Sequence, residues 1–171
     1  EELATIRQMV QEMGKGLLVL GGRDQFGQGG WPDSPLAELM PFDLRQAAGH
    51  VAEPFKIVAS RQGLEHPLMQ LDEDPARNAK LWADLPPMQG ANRFPDAAAI
   101  VAGHPSATIL ATTPTGLPVM VAQPSGKGRV LAMAIDTTWR WRLHLDRGIE
   151  LHNRFWRQAV LWLAQRQGNV W

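Results

Sequence analysis

The apolar run Leu17-Leu18-Val19-Leu20 leads directly into Gly21-Gly22-Arg23-Asp24-Gln25-Phe26-Gly27-Gln28-Gly29-Gly30-Trp31. Four apolar residues are too few for a helix, and both faces of such a segment must be covered. That predicts a central, parallel strand. Glycines placed straight after a strand let the main chain take positive φ and let a ligand approach the backbone, which is how α/β proteins build ligand loops. The loop holds five glycines, more than a turn needs. Its candidate ligand-facing residues are Gly21, Gly22, Phe26, Gly29, Gly30 and Trp31, and a purely structural turn is the competing reading. The spacing fits neither G-x-G-x-x-G nor a P-loop.

Helices and strands alternate around this strand. Leu3, Ile6, Met9, Val10 and Met13 recur at helical spacing, with Gly14 placed to end the helix. Ser34-Pro35 reads as a cap and first position, opening a short helix through Leu39 that stops at Pro41. Residues 55–60 read as a strand. Asp74-Pro75 starts a helix that carries Leu81 and Trp82 and ends before Pro86-Pro87. Residues 86–106, rich in Pro, Gly, Asn and His, read mostly as loop. Three strands follow at 107–112, 117–123 and 129–135, with links of hairpin length between them. Gly126-Lys127-Gly128 looks like a phosphate loop only superficially, because it lies between two strands and reads as a hairpin turn. A helix over roughly 150–166 closes the pattern. Leu151, Phe155, Ala159, Trp162 and Leu163 form its stripe, Trp156 and Val160 lie alongside, and Arg154, Arg157 and Gln158 face away. The order predicts one α/β domain over residues 1–171, a three-layer sandwich with a mixed sheet and late β-hairpins. No strand feeds the first helix and there is no initiating Met, so a piece of a longer protein with a missing N-terminal strand is expected.

Several chemistries are excluded. The chain has no cysteine, hence no disulfide, thiolate zinc site or cysteine nucleophile. None of His50, His66, His104, His144 and His152 stands at metal-binding spacing, so no metal and no cofactor are predicted. There is no G-x-S-x-G elbow. No apolar stretch approaches the ~20 residues that span a bilayer, so direct membrane insertion of this segment is not expected. Net charge is zero and the bases are offset by acids, which argues against nucleic acid. The charge is uneven, with 14 acids and 9 bases in residues 1–100 against 3 acids and 8 bases in 101–171. Either the halves pair with each other or the second half lines an anion site.

The second candidate cluster is Asp136-Thr137-Thr138-Trp139-Arg140-Trp141-Arg142, at the C-terminal end of a predicted strand. Ligands of open α/β sheets bind at that edge. Thr137, Thr138, Trp139, Arg140 and Arg142 are candidate ligand contacts: Trp offers a stacking face and Arg a fork for carboxylate or phosphate. The alternative is that both Trp fill the core and the Arg pair with Asp146 and Glu150. Asp136 and His152 are weak candidates for a catalytic base; a structural role for His152 is the alternative.

Leu17–Trp31, Ser34–Pro41, Gly126–Trp141 and Phe155-Trp156-Arg157-Gln158 together resemble an uncharacterised bacterial branch of the class I glutamine amidotransferase-like superfamily. The resemblance covers nearly the whole chain and implies a flavodoxin-like sandwich. Members of that branch often sit in long membrane-anchored proteins beside von Willebrand factor A-like domains, which implies the cell envelope and neighbouring domains of the same or another protein as partners. In active amidotransferases a glycine loop supplies oxyanion-hole amides, a Cys on an elbow attacks the glutamine amide, and a His-x-Glu pair activates it. Here Gly21-Gly22 can take the loop position, but the Cys is missing and Asp136-Thr137-Thr138 stands where His-x-Glu would be. Losing the nucleophile of a unit that acts together costs many orders of magnitude in rate. The expectation is therefore a non-catalytic binding or interaction domain, with a small anionic ligand balanced by Arg140 and Arg142. A hydrolase using Asp136 or His152, and a structural spacer, are the alternatives.

Overall fold

The computed structural model describes residues 1–165. Helix α1 (Glu2–Gln11) leads into strand β1 (Gly16–Leu20). A run of short 3-10 turns at 26–29, 31–33, 37–39 and 44–46 follows. Next come β2 (His50–Val51), β3 (Val58–Ala59), α2 (Arg61–Glu65), α3 (Pro75–Asp84), β4 (Ala91–Asn92) and α4 (Ala97–Gly103). The chain continues through β5 (Thr108–Thr112), β6 (Pro118–Ser125), β7 (Gly128–Met133), α5 (Trp141–His144) and α6 (Gly148–Leu163). The main sheet has the order β1-β7-β6-β5-β3, and β2 and β4 form a separate two-stranded sheet. The pair β1–β7 is parallel, and the other pairs of the main sheet are antiparallel.

Alternation along the strands assigns the layers. A Cβ on Gly16 would meet Leu163 of α6, and Arg129, level with Gly16 in the parallel register, donates to the Trp162 carbonyl at 2.8 Å. Leu18 and Leu131 share that face by period two. The opposite face carries Leu17, Val19, Gly128 and Val130. There Val10 of α1 sits against Gly128, and Gln123 donates to the Leu39 carbonyl at 3.0 Å. Helix α6, with α2, α3 and the turn at 67–69, covers one face, while α1 and the 3-10 run cover the other. The result is a mixed sheet flanked by helices, as the strand and helix order predicts.

Each flanking layer has an aromatic centre. Phe26, Phe42 and Phe94 cluster on the α1 side, with ring centroids 4.3–6.0 Å apart. Trp82, Trp141 and Phe155 cluster under α6, with centroids 5.3–5.9 Å apart. The contacts of the Trp82 cluster are edge-to-face, while two of the three between the phenylalanines are tilted; edge-to-face pairs add about 1 kcal/mol each beyond area burial.

The sequence expectations are corrected at several elements. Strand β1 is parallel but lies at the sheet edge, not its centre; it is apolar on both faces because α1 and α6 flank it. No α-helix opens at Ser34. Only five residues separate Pro35 from Pro41, too few for a stable α-helical ladder, so the stretch stays in 3-10 turns, although Ser34 does accept from the Leu36 amide at 3.3 Å. The strand expected over 55–60 keeps only Val58–Ala59, since Phe55 exchanges both backbone hydrogen bonds with Met88 away from the main sheet. Residues 86–106 contain β4 and α4. On α6, Arg154 and Gln158 do not face away: they donate to the carbonyls of Leu71 and Gln70. The helix ends at Leu163, and the expected end at residue 166 lies outside the described residues.

Candidate functional site

The parallel pair β1–β7 fixes where a site can lie. Both strands end at the same edge, so Gly21-Gly22 emerges beside Ala134–Asp136. A Cβ on Gly21 would stand 2.2 Å from the Ala134 carbonyl oxygen, so only glycine fits this crossing. Gly27 is forced in the same way by the carbonyls of Leu44 and Ala47. Much of the glycine demand in the loop is thus close packing of one backbone on another.

The small β2–β4 sheet completes the edge. Asn92, buried in β4, donates from its amide to the Ala134 carbonyl at 2.8 Å. Its side chain accepts from the Gly22 amide and donates to the Gly22 carbonyl, both at 2.9 Å. A carboxamide carries an acceptor oxygen and a donor nitrogen side by side, so it can satisfy a backbone N–H and C=O together. The amide that an oxyanion hole would present is therefore already engaged.

Beside this lock lies a solvent-open cleft of about 310 Å³. Gly22, Arg23, His50, Gln89, Asn92 and Asp136 are among the residues lining it. His50 donates from Nε2 to the Arg23 carbonyl at 3.2 Å, tying β2 to the glycine loop. The cleft therefore gathers a guanidinium, an imidazole, a carboxamide and a carboxylate. It has the make-up of a binding surface for a small polar molecule.

The other residues singled out in the sequence are dispersed. Gly21 and Trp31 line a different groove along β1. Phe26 is fully buried in the aromatic core, at a left-handed φ of 57°. Gly29 and Gly30 belong to the 3-10 run, and a Cβ on Gly29 would meet the Asp24 carbonyl. Thr137 touches Met88 Sδ, and Thr138 is buried. Trp139 is half exposed, with the Arg140 guanidinium 5.9 Å from its ring centroid. Arg140 Nε and Trp141 Nε1 are buried with no hydrogen-bond partner among the described residues. Trp141 is core, and Arg142 is exposed.

His152 sits on α6, where its Nε2 accepts from the Trp156 indole at 3.0 Å. Burial and nearby Arg142 hold its pKa below the ordinary value. It does not line the cleft that Asp136 lines. Among the described residues, no group of three His, Asp or Glu is placed to hold a metal ion. With no cysteine in the chain and no His-x-Glu in Asp136-Thr137-Thr138, the amidotransferase catalytic set is absent.

Sequence reasoning missed Arg23, His50, Gln89 and Asn92 as one group. Arg23 was inside the glycine loop. The other three lie far along the chain, in stretches whose only local signal is turn composition, and the two-residue strands that deliver His50 and Asn92 are too short for periodicity.

No family model matches this chain, and no curated protein matches it. Solved structures similar in fold include two from Salmonella typhimurium. Cytoplasmic protein STM1381 of Salmonella typhimurium LT2 superposes with a TM-score of 0.69 at 22% identity, over 95% of this chain and 60% of that one. Cytoplasmic protein STM3548 of Salmonella typhimurium gives 0.67 at 19% identity, over 94% of this chain and 59% of that one. The chain spans about three-fifths of the length of each. At these identities the likeness shows the fold alone. The expectations of envelope association and of a membrane-associated protein, drawn from the family resemblance, are corrected to the fold alone: both similar structures carry the name cytoplasmic protein, and neither name points to an envelope. Among the described residues no helix is long and apolar enough to cross a membrane. The amidotransferase-like label itself finds no support in either name.

Proposed function

We propose that this chain is a non-catalytic α/β binding domain whose site is the cleft between Gly22 and Asp136. The observation that carries the reading is the reciprocal pair of hydrogen bonds between Asn92 and Gly22. It spends the loop amide on structure while leaving Arg23, His50, Gln89 and Asp136 open to solvent in one concavity. Such a surface recognises a small polar ligand: Arg23 suits a carboxylate or phosphate oxygen, and Asp136 suits an ammonium or hydroxyl donor. Arg23, not Arg140 or Arg142, is the cation of this cleft. The finer ancestry, an amidotransferase-type sandwich, rests on the residue resemblance; a main sheet with one parallel pair among antiparallel ones is not specifically flavodoxin-like. It brings no activity with it.

The test is an amide-resolved NMR screen of the chain against inorganic phosphate and a set of small carboxylates, amines and amides. Shifts that cluster on Gly22, Arg23, His50, Gly90 and Asn92, and that weaken in Asp136→Asn or Arg23→Gln, support the reading. Binders that map elsewhere, or are indifferent to both substitutions, overturn it. Release of ammonia from glutamine by the purified chain would overturn the non-catalytic part.

A further inference from the structure

Arg23 and Asp136 carry opposite charges and line the same cleft of about 310 Å³. Neither side chain has an ion-pair partner among the described residues, and they do not pair with each other. The backbone delivers them on separate segments. Arg23 follows Gly22 in the glycine loop, and Asp136 lies two residues beyond Ala134, past the end of β7. Asn92 bonds both Gly22 and Ala134, so it fixes the one segment against the other. The cleft thus presents a cation and an anion that are both available to a molecule lying between them.

The rest of the lining narrows the occupant. Among the described residues no Phe or Trp lines the cleft, so nothing offers the broad face on which a nucleobase or another large aromatic ring stacks. Val51, Ala52 and Ala91 supply short apolar walls, which suit an aliphatic stem. No single amino-acid side chain carries both charges, so a covering stretch of protein would need two oppositely charged residues in register, whereas one small molecule meets both. We infer, resting on the binding-cleft reading above, that the ligand of this site is a small aliphatic zwitterion. Its acid group sits on the Arg23 guanidinium and its ammonium on the Asp136 carboxylate, two charge-assisted contacts. The contacts reinforce each other, because once one end is held the other meets its partner at high effective concentration.

A ladder of glycine, β-alanine, γ-aminobutyrate and δ-aminovalerate tests this. Titrated into the whole chain and followed by backbone amide shifts, it acts as a ruler for the gap between the two charges. Acetate, methylammonium and inorganic phosphate are the controls that carry charge of one sign. One rung is expected to bind about tenfold or more tightly than either acetate or methylammonium, with shifts at Gly22, Arg23, Gly90 and Asn92. Arg23→Gln should bring that rung down to the level of methylammonium, and Asp136→Asn to the level of acetate. Both side chains are exposed, so neither change disturbs packing, and circular dichroism verifies the fold. Phosphate or acetate binding in the cleft as tightly as the best rung, indifferent to Asp136→Asn, overturns the zwitterion and leaves the cleft reading in place. Silence of the whole ladder overturns it too; the cleft reading falls with it only where phosphate, amines and amides also leave these amides unmoved.

Discussion

Asn92 shows how a single side chain can decide what an edge of the sheet is for. Its carboxamide replaces a peptide partner for Gly22, while its own amide is held by Ala134. Removing it strands a partly buried N–H and C=O at once. Asn92→Ala is expected to cost about 2 kcal/mol, a fall in melting temperature of roughly 4–8 °C for a chain of this size. Asn92→Asp should cost more, because a carboxylate accepts from the Gly22 amide but repels the Gly22 carbonyl. Thermal unfolding of the two variants checks both the loss and the order; an Asp variant as stable as wild type would remove Asn92 from this role. Nothing in the sequence marked the residue, since a lone Asn in a Pro- and Gly-rich stretch reads as turn chemistry. Gly21 was visible as an unusual glycine, but its cause was not. The carbonyl that forbids a Cβ there belongs to Ala134, and sequence order gives no view of such a crossing.

Elements with a long period were legible, and elements made by tertiary contact were not. The spacing of Leu3, Ile6, Met9, Val10 and Met13 gave α1, although Met13 lies beyond its end at Gln11, and the stripe Leu151, Phe155, Ala159, Trp162 and Leu163 gave α6, a stripe buried throughout except for the partly buried Trp162. Strands β5, β6 and β7 were found within two residues of their ends, because apolar runs broken by Pro and Gly turns leave little choice of register. Helix α4 was missed: Ala97-Ala98-Ala99 favours helix, but Ile100 alone buries a large side chain, so no stripe forms. Gly126-Lys127 is the hairpin turn that its place between two strands predicts, and the structure supplies its purpose. Lys127 donates its amide to the Gln11 carbonyl at 2.8 Å, and Gly126, at φ 57°, leaves 2.5 Å between its absent Cβ and that same oxygen. The turn therefore seats the C-terminal end of α1. Gly126→Ala adds both strain and a clash with backbone, and is expected to cost about 2 kcal/mol or more. Hydrogen exchange should locate the damage: protection should fall first in α1 and at β1, with β5–β6 spared. Uniform loss across the sheet would show that the turn matters to the hairpin and not to the docking of α1.

The whole molecule joins its layers through a seam that carries its clearest dependence on pH. His66 lies where the 67–69 turn, α6 and β7 meet. Its ring stands edge-on to Trp162 at 5.3 Å, and its Nδ1 accepts from the Leu68 amide at 3.2 Å. Arg129 of β7 lies over the other side of this contact, 5.2 Å from the Trp162 ring centroid. Burial, and then the Arg129 charge, push the His66 pKa from 6.5 down to about 4. The neutral ring is thus the form the fold accepts. Between these two values the unfolded chain binds a proton that the folded chain refuses, so stability is fully present above pH 6.5 and declines as pH falls toward 4. His152, also shifted down by burial, acts in the same direction. Because His66 is partly exposed, solvent screening reduces the full linkage value to about 2 kcal/mol. Urea unfolding at pH 7 and at pH 4.5 should therefore give a lower midpoint at the acid value. His66→Asn, which keeps an acceptor for the Leu68 amide and cannot take up the proton, should flatten most of that difference while losing some stability at pH 7 from the smaller contact with Trp162. If the variant keeps the wild-type slope, acid sensitivity resides in the carboxylates, and the seam between α6 and the sheet tolerates a charged imidazole.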